Sequence, residues 1–141
     1  NSPGGIKMEK KKQDLNKMAA NLKEKLKSLI KEGRTGESLI LLENNWDLLS
    51  ADIELYSIAG VIYSYQMRIK EAKEVFLKGL KKDPNNFDLL FNIGYICDLQ
   101  EDYFHSWNYY QKAKKNIETK KQKEDLALAM ESLMEKIKNR E

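Results

Sequence analysis

His105 is the chain's one histidine, and Glu101 and Asp102 lie within a helical turn of it. A histidine beside two carboxylates is the residue set of a general base or a metal site. No second His or Cys accompanies it, so the set reads as a surface histidine. Cys97 stands alone, which rules out an internal disulfide and a multi-cysteine metal centre. No glycine-rich phosphate loop, nucleophile elbow or metal-ligand spacing occurs. No catalytic residue, cofactor site or metal site is therefore expected, which leaves recognition. Lys23, Lys27 and Lys31 recur at i, i+4 and i+8. Such a stripe would attract an acidic peptide or phosphates, or would simply face water. Tyr65, Phe91 and Tyr95 are either anchors for a partner's apolar side chains or packing between neighbouring helices.

The chain has 141 residues, one domain's worth, with 33% charged and 41% hydrophobic residues and only two prolines. That balance suits a helix-rich soluble fold. The net charge of +3 is unevenly placed. Residues 1–31 carry nine lysines against three acids, whereas residues 32–117 carry ten basic against thirteen acidic residues. The positive charge belongs to the first helix, and with only Arg34, Arg68 and Arg140 present a nucleic-acid surface is the least favoured class. No run approaches the ~18 apolar residues of a membrane span, and no signal-peptide stretch is seen. A cytoplasmic location is expected.

The apolar spacing then sets out the elements. Residues 1–6 read as a cloning scar or a disordered lead-in. Leu15, Met18, Leu22, Leu26 and Leu29 form one stripe on a helix over 7–31, frayed at Lys10-Lys11-Lys12 and stopped at Gly33. A short helix over 37–44 follows, with Trp46, Leu48 and Leu49 covering its exit. Ser50 or Asp52 caps a third helix packed through Tyr56, Ala59, Gly60 and Tyr63. Met67-Arg68-Ile69 turn the chain into a fourth helix with Ala72, Val75, Phe76 and Gly79 inward. Asp83-Pro84 ends that helix, and Asn85 or Asn86 caps a fifth over 87–99. A turn at Gln100-Glu101-Asp102 leads to a sixth over 103–115, packed through Ser106, Tyr109, Tyr110 and Ala113. The polar run 118–124 separates a last helix with Leu126, Ala129, Met130, Leu133 and Ile137 on one stripe.

Gly60 recurs as Gly94, Tyr56 as Leu90 and Phe76 as Tyr110, each 34 residues on. With Ala59-Gly60, Tyr63, Ala72, Gly79 and Pro84, the stretch 53–86 resembles the tetratricopeptide (TPR) family, and 87–120 repeats the pattern without the closing proline. Leu22, Leu26, Leu29 and Leu42 fall on the register of Tyr56, Gly60, Tyr63 and Phe76, so 19–52 reads as a degenerate first repeat. Residues 121–141 read as a capping helix, and 7–141 as one domain. The resemblance implies an all-α fold of about seven helices, in antiparallel pairs stacked as a right-handed superhelix.

The family's concave face is lined by the first helix of each repeat. Carried over, it presents Val61, Tyr65, Asp88, Phe91, Asn92 and Tyr95, with Asp98 at its edge and Lys23 and Lys27 flanking. Ser57 and Val61 stand where the chaperone-binding branch has a Lys and an Asn, so a clamp for a chaperone tail is not expected. The implied function is a non-catalytic module that binds a protein or peptide. As an alternative, NFDLLFNIGYI followed by EDYFHSWNYYQKA is similar to TPR segments appended to bacterial glycosyltransferases, where such a segment would position an acceptor protein. The long first and last helices could also pair between copies of the chain. Acids beside the aromatic pair favour a partner with basic edges, and the lysines favour the opposite, so the charge preference stays open.

Overall fold

The structure, a computed structural model, describes residues 3–140. Its α-helices are α1 (Pro3–Lys31), α2 (Thr35–Asn44), α3 (Glu54–Tyr65), α4 (Ile69–Lys82), α5 (Phe87–Leu99), α6 (Tyr103–Lys114) and α7 (Lys120–Arg140). A 3-10 helix (Trp46–Ala51) joins α2 to α3, burying Leu48 and Leu49. Among the described residues there is no strand, and no helix is long and apolar enough to cross a membrane.

One turn geometry returns the chain three times. Gly33, Met67 and Glu101, spaced 34 apart, have φ of 76°, 60° and 61°. In each turn the next residue donates its N–H to a carbonyl five residues back: Arg34 to Leu29 (2.8 Å), Arg68 to Tyr63 (2.9 Å) and Asp102 to Cys97 (2.9 Å). These left-handed stops satisfy the last carbonyls of α1, α3 and α5 and start α2, α4 and α6 at once. Glycine adopts the conformation freely at 33. Met67 and Glu101 adopt it at a cost of roughly 1–2 kcal/mol each, which the packing of the pairs on either side must offset.

Within two pairs, a glycine faces a ring. A Cβ on Gly60 would lie deep inside contact distance of the Phe76 ring, and one on Gly94 would lie 2.6 Å from Tyr110 Cδ1. The missing side chains let α4 and α6 settle against α3 and α5. At Gly94 the approach is close enough for Ser106 Oγ to donate to its carbonyl at 2.7 Å. At the matching positions of α1 and α2, Leu26 and Leu42 are both buried. There a larger residue on the first helix is matched by a smaller one on the second.

The ends depart from expectation. The first helix begins at Pro3 rather than Lys7, so residues 3–6 are helical, while residues 1 and 2 lie outside the described part. Leu15 and Met18 are exposed, because the buried positions of α1 begin at Ala19 and continue through Leu22 and Leu26. The polar run 118–124 is largely the first turn of α7 rather than a separator. Thr119 Oγ1 accepts from the Gln122 N–H (3.1 Å), while Gln122 Oε1 accepts from the N–H groups of Glu118 (2.8 Å) and Thr119 (3.2 Å), a capping box. Leu126 and Leu133 of α7 are buried; Ala129, Met130 and Ile137 are half-buried.

Two charged contacts fasten the far end of α7. Lys136 Nζ reaches Asp98 Oδ1 at 2.9 Å, and Asp98 is 8% exposed. Arg140 lies over the Tyr103 ring, 4.6 Å from its centroid, and beside Glu101 at 3.7 Å.

Gly60→Ala is expected to destabilise the protein by about 1–3 kcal/mol, since the Phe76 ring is buried and has little room to move. A shorter side chain in Gly60→Ala/Phe76→Leu should recover part of the loss, read from urea denaturation midpoints. Lys136→Ala should cost about 1–2 kcal/mol, because it leaves a nearly buried carboxylate unpaired while the lysine itself is half in water. The bond to Asp98 raises the Lys136 ammonium above the ordinary lysine value. Its contribution is therefore full below a pH of about 10.4 and is lost as pH rises through the raised value. Wild type and variant should differ by a constant amount from neutrality to that point.

Candidate functional site

The first helices of the two glycine-bearing pairs, α3 and α5, lie side by side, and α7 closes one flank. Residues one turn apart line the space between them: Val61 and Tyr65 on α3, Phe91 or Asn92, Tyr95 and Leu99 on α5. Met67 of the turn, Ile69 at the start of α4 and Ala129 of α7 complete an apolar groove of about 590 Å³. Five of the residues singled out from the sequence, Val61, Tyr65, Phe91, Asn92 and Tyr95, are brought together here.

Their roles differ. Tyr65 is 59% exposed and Tyr95 49%, so both leave side-chain surface open to solvent along the groove. Phe91 is half-buried. Its ring stacks on Phe87, centroids 5.7 Å apart and 10° from parallel, and meets Tyr110 at 5.6 Å. It supports the groove floor and belongs to the α5–α7 core. Met67 was not singled out from the sequence as a groove residue. It holds a left-handed backbone and is 80% exposed on the rim. A long apolar side chain where glycine would be easier marks a place where strain is tolerated.

The charged residues are redistributed. Lys23 Nζ pairs with Asp52 at 2.8 Å and Glu54 at 3.6 Å, tying α1 to the start of α3. The hydrogen bond to Asp52 raises its ammonium above the usual lysine value. Lys23 therefore lines neither the groove nor the hollow beside it, but it abuts Glu54, which lines that hollow. Lys27 also pairs with Glu54, at 3.4 Å. Asp98, expected at the groove edge, is buried and held by Lys136.

Asp88 lies elsewhere. With Lys27, Glu54, Ser57 and Ile58 it lines a shallower hollow of about 300 Å³ that shares Val61 and Asn92 with the groove. Asp88 is solvent-exposed, and its carboxylate makes no hydrogen bond or ion pair among the described residues. Partial burial in the hollow, then the nearby Glu54 and Glu118, raise its carboxyl above the ordinary range, against a smaller opposing effect of Lys27.

The other chemical candidates are structural. His105 Nδ1 lies 2.8 Å from Asp102 Oδ2, and Asp102 Oδ1 accepts from the His105 N–H, so the pair caps α6 at the surface. Cys97 is a buried thiol pushed up by that burial. Trp46 is edge-on to Tyr63, centroids 6.1 Å apart, and Trp107 is half-buried against the α5–α7 core. Among the described residues no three His, Cys, Asp or Glu side chains converge as they would around a metal ion.

No protein-family model matches the chain, and no curated protein sequence does. Solved structures do match. The Sgt2 TPR domain from Aspergillus fumigatus superposes with a TM-score of 0.71 at 19% identity, over 88% of this chain and 83% of that one. The Yersinia enterocolitica type III secretion chaperone SycD, in complex with a peptide of the translocator YopD, gives 0.67 at 14% identity, over 91% and 92%. The TPR domain of P58(IPK) gives 0.64 at 17% identity, over 85% of this chain but 34% of its own. At such identities the likeness is one of fold: the chain has the all-helical architecture of TPR domains.

The two kinds of aromatic residue should separate on mutation. Phe91→Ala removes a ring packed between Phe87 and Tyr110 and should lower stability by about 2–4 kcal/mol. Tyr95→Ala should stay within about 0.5 kcal/mol of wild type. Urea denaturation of both variants checks the assignment.

Proposed function

We propose that this chain is a non-catalytic protein-interaction module whose groove between α3, α5 and α7 receives an apolar segment of a partner protein. One observation carries the reading: Tyr65, Tyr95 and Met67 are exposed together on the wall and rim of one apolar groove. Exposed aromatics around a concavity are the composition of binding hot spots. Their alternative role, packing between helices, is already filled by Phe91. The fold is compatible with this use, since one structure of similar architecture holds a bound peptide.

Nucleic acid is disfavoured on a specific ground. Lys23 and Lys27, two of the three lysines in the α1 stripe, are spent on Asp52 and Glu54. The proposed likeness to repeats appended to glycosyltransferases has no counterpart in the three similar structures named above. An acceptor protein would in any case enter the same groove.

The test compares the intact chain with Tyr65→Ala/Tyr95→Ala in quantitative affinity purification from cells. Proteins captured through the groove should be depleted from the variant's eluate, and for a purified partner each truncation should cost about 2 kcal/mol, some thirtyfold in Kd. The variant's melting temperature should stay within a few degrees of wild type. Equal capture by both proteins would place the interaction surface elsewhere.

A further inference from the structure

The charge preference left open by the sequence can be taken up from the pairing of the charges. Three of the charged groups expected around the groove are engaged inside the molecule: Lys23 with Asp52 and Glu54, Lys27 with Glu54, and Asp98 with Lys136. Asp88 is left. It faces the hollow continuous with the groove, and the groups around it are Lys27 from α1, Glu54 from α3 and Glu118 from the segment before α7. Lys27 already serves Glu54, so the local balance is negative.

A structural role for Asp88 has to be weighed first. It sits in the first turn of α5, where a carboxylate is favoured by the helix dipole. That role would stabilise the charged form. Asp88 is, however, solvent-exposed and accepts from no backbone N–H of that turn, and it shares the hollow with Glu54. Loss of water on the hollow side and the two neighbouring acids push its carboxyl up, against the direction of the dipole. Asn86 already caps this helix, accepting from the Leu89 N–H at 3.1 Å.

Building on the groove as the binding site, we infer that its occupant is an apolar protein segment carrying one lysine or arginine, whose cation is seated on Asp88 while its apolar side chains lie against Tyr95 and Leu99. The distance between the two contacts follows from α5 itself. Asp88 and Tyr95 are two helical turns apart, about 10.5 Å along the axis. That spacing is matched by residues three apart in an extended segment or seven apart in a helical one. Asn92 lies between them, able to donate to or accept from the segment's backbone. The cation would restore charge balance at Asp88 and convert an unpaired acid into a charge-assisted hydrogen bond.

The experiment selects a phage-displayed library of random 12-residue peptides against the full chain. The winners are then measured on wild type, Asp88→Asn and Tyr65→Ala/Tyr95→Ala. Winners should be enriched in Lys or Arg at one fixed offset from their apolar residues. They should bind Asp88→Asn about tenfold or more weakly, although that variant melts within a few degrees of wild type. Replacing the basic residue of a winner by norleucine should erase the difference between wild type and Asp88→Asn. Winners that lose affinity on Tyr65→Ala/Tyr95→Ala but show no basic enrichment, or bind Asp88→Asn equally, overturn the charge assignment and leave the groove standing. Winners indifferent to the tyrosine changes, or no winners at all, overturn the groove reading itself.

Discussion

The close seating of Phe76 on Gly60 and of Tyr110 on Gly94 sets the geometry on which everything else depends. A ring seated against bare backbone draws its helix nearer than two ordinary side chains would allow. With α4 and α6 pulled to one side, the first helices α3 and α5 form a layer of their own. The opposite faces of that layer carry Val61, Tyr65, Tyr95 and Leu99, which therefore meet across a gap and are not buried by a partner helix. The apolar groove is a by-product of tight pairing behind it.

Timing along the chain is the second constraint. The left-handed residues at 33, 67 and 101 end the first helices at the same phase, so one-turn stripes on α3 and α5 stay in step. A stop displaced by one residue would rotate the next helix by about 100° and carry Tyr95 out of the gap. This is a reason for Met67 and Glu101 to hold an unfavourable backbone angle. Register is worth more to the array than the local cost.

Much of the fold was legible because it rests on local or periodic signals. Asn86 as a cap, Pro84 as a stop and the 34-residue recurrence of glycine all act within a few residues or repeat along the chain. Thr119 and Gln122 were legible too, three apart in capping-box order, but their polar surroundings suggested a linker. What could not be read were pairings across helices. Lys23 finds Asp52 and Asp98 finds Lys136 over 38 residues, and no short-range pattern announces either. The same is true of Phe91, whose spacing with Tyr95 matches a binding stripe although its ring is claimed by Phe87 and Tyr110. Candidate groove residues were recognisable by position; their division into packed and exposed rings required the three-dimensional packing.

Ala129 places one wall of the groove on α7, a helix that buries only Leu126 and Leu133 in its 21 residues. Such a helix opens locally at a lower free energy than the core does. The wall would then have its own opening equilibrium, separate from unfolding of the paired helices. Any occupant that touches Ala129 binds only the closed form, and by mass action it holds α7 shut in proportion to its concentration over its dissociation constant. Conversely, each increment of α7 docking raises the fraction of molecules able to bind. On the proposed reading, the Lys136–Asp98 contact, remote from the gap, would tune the apparent affinity of the groove without touching what enters it.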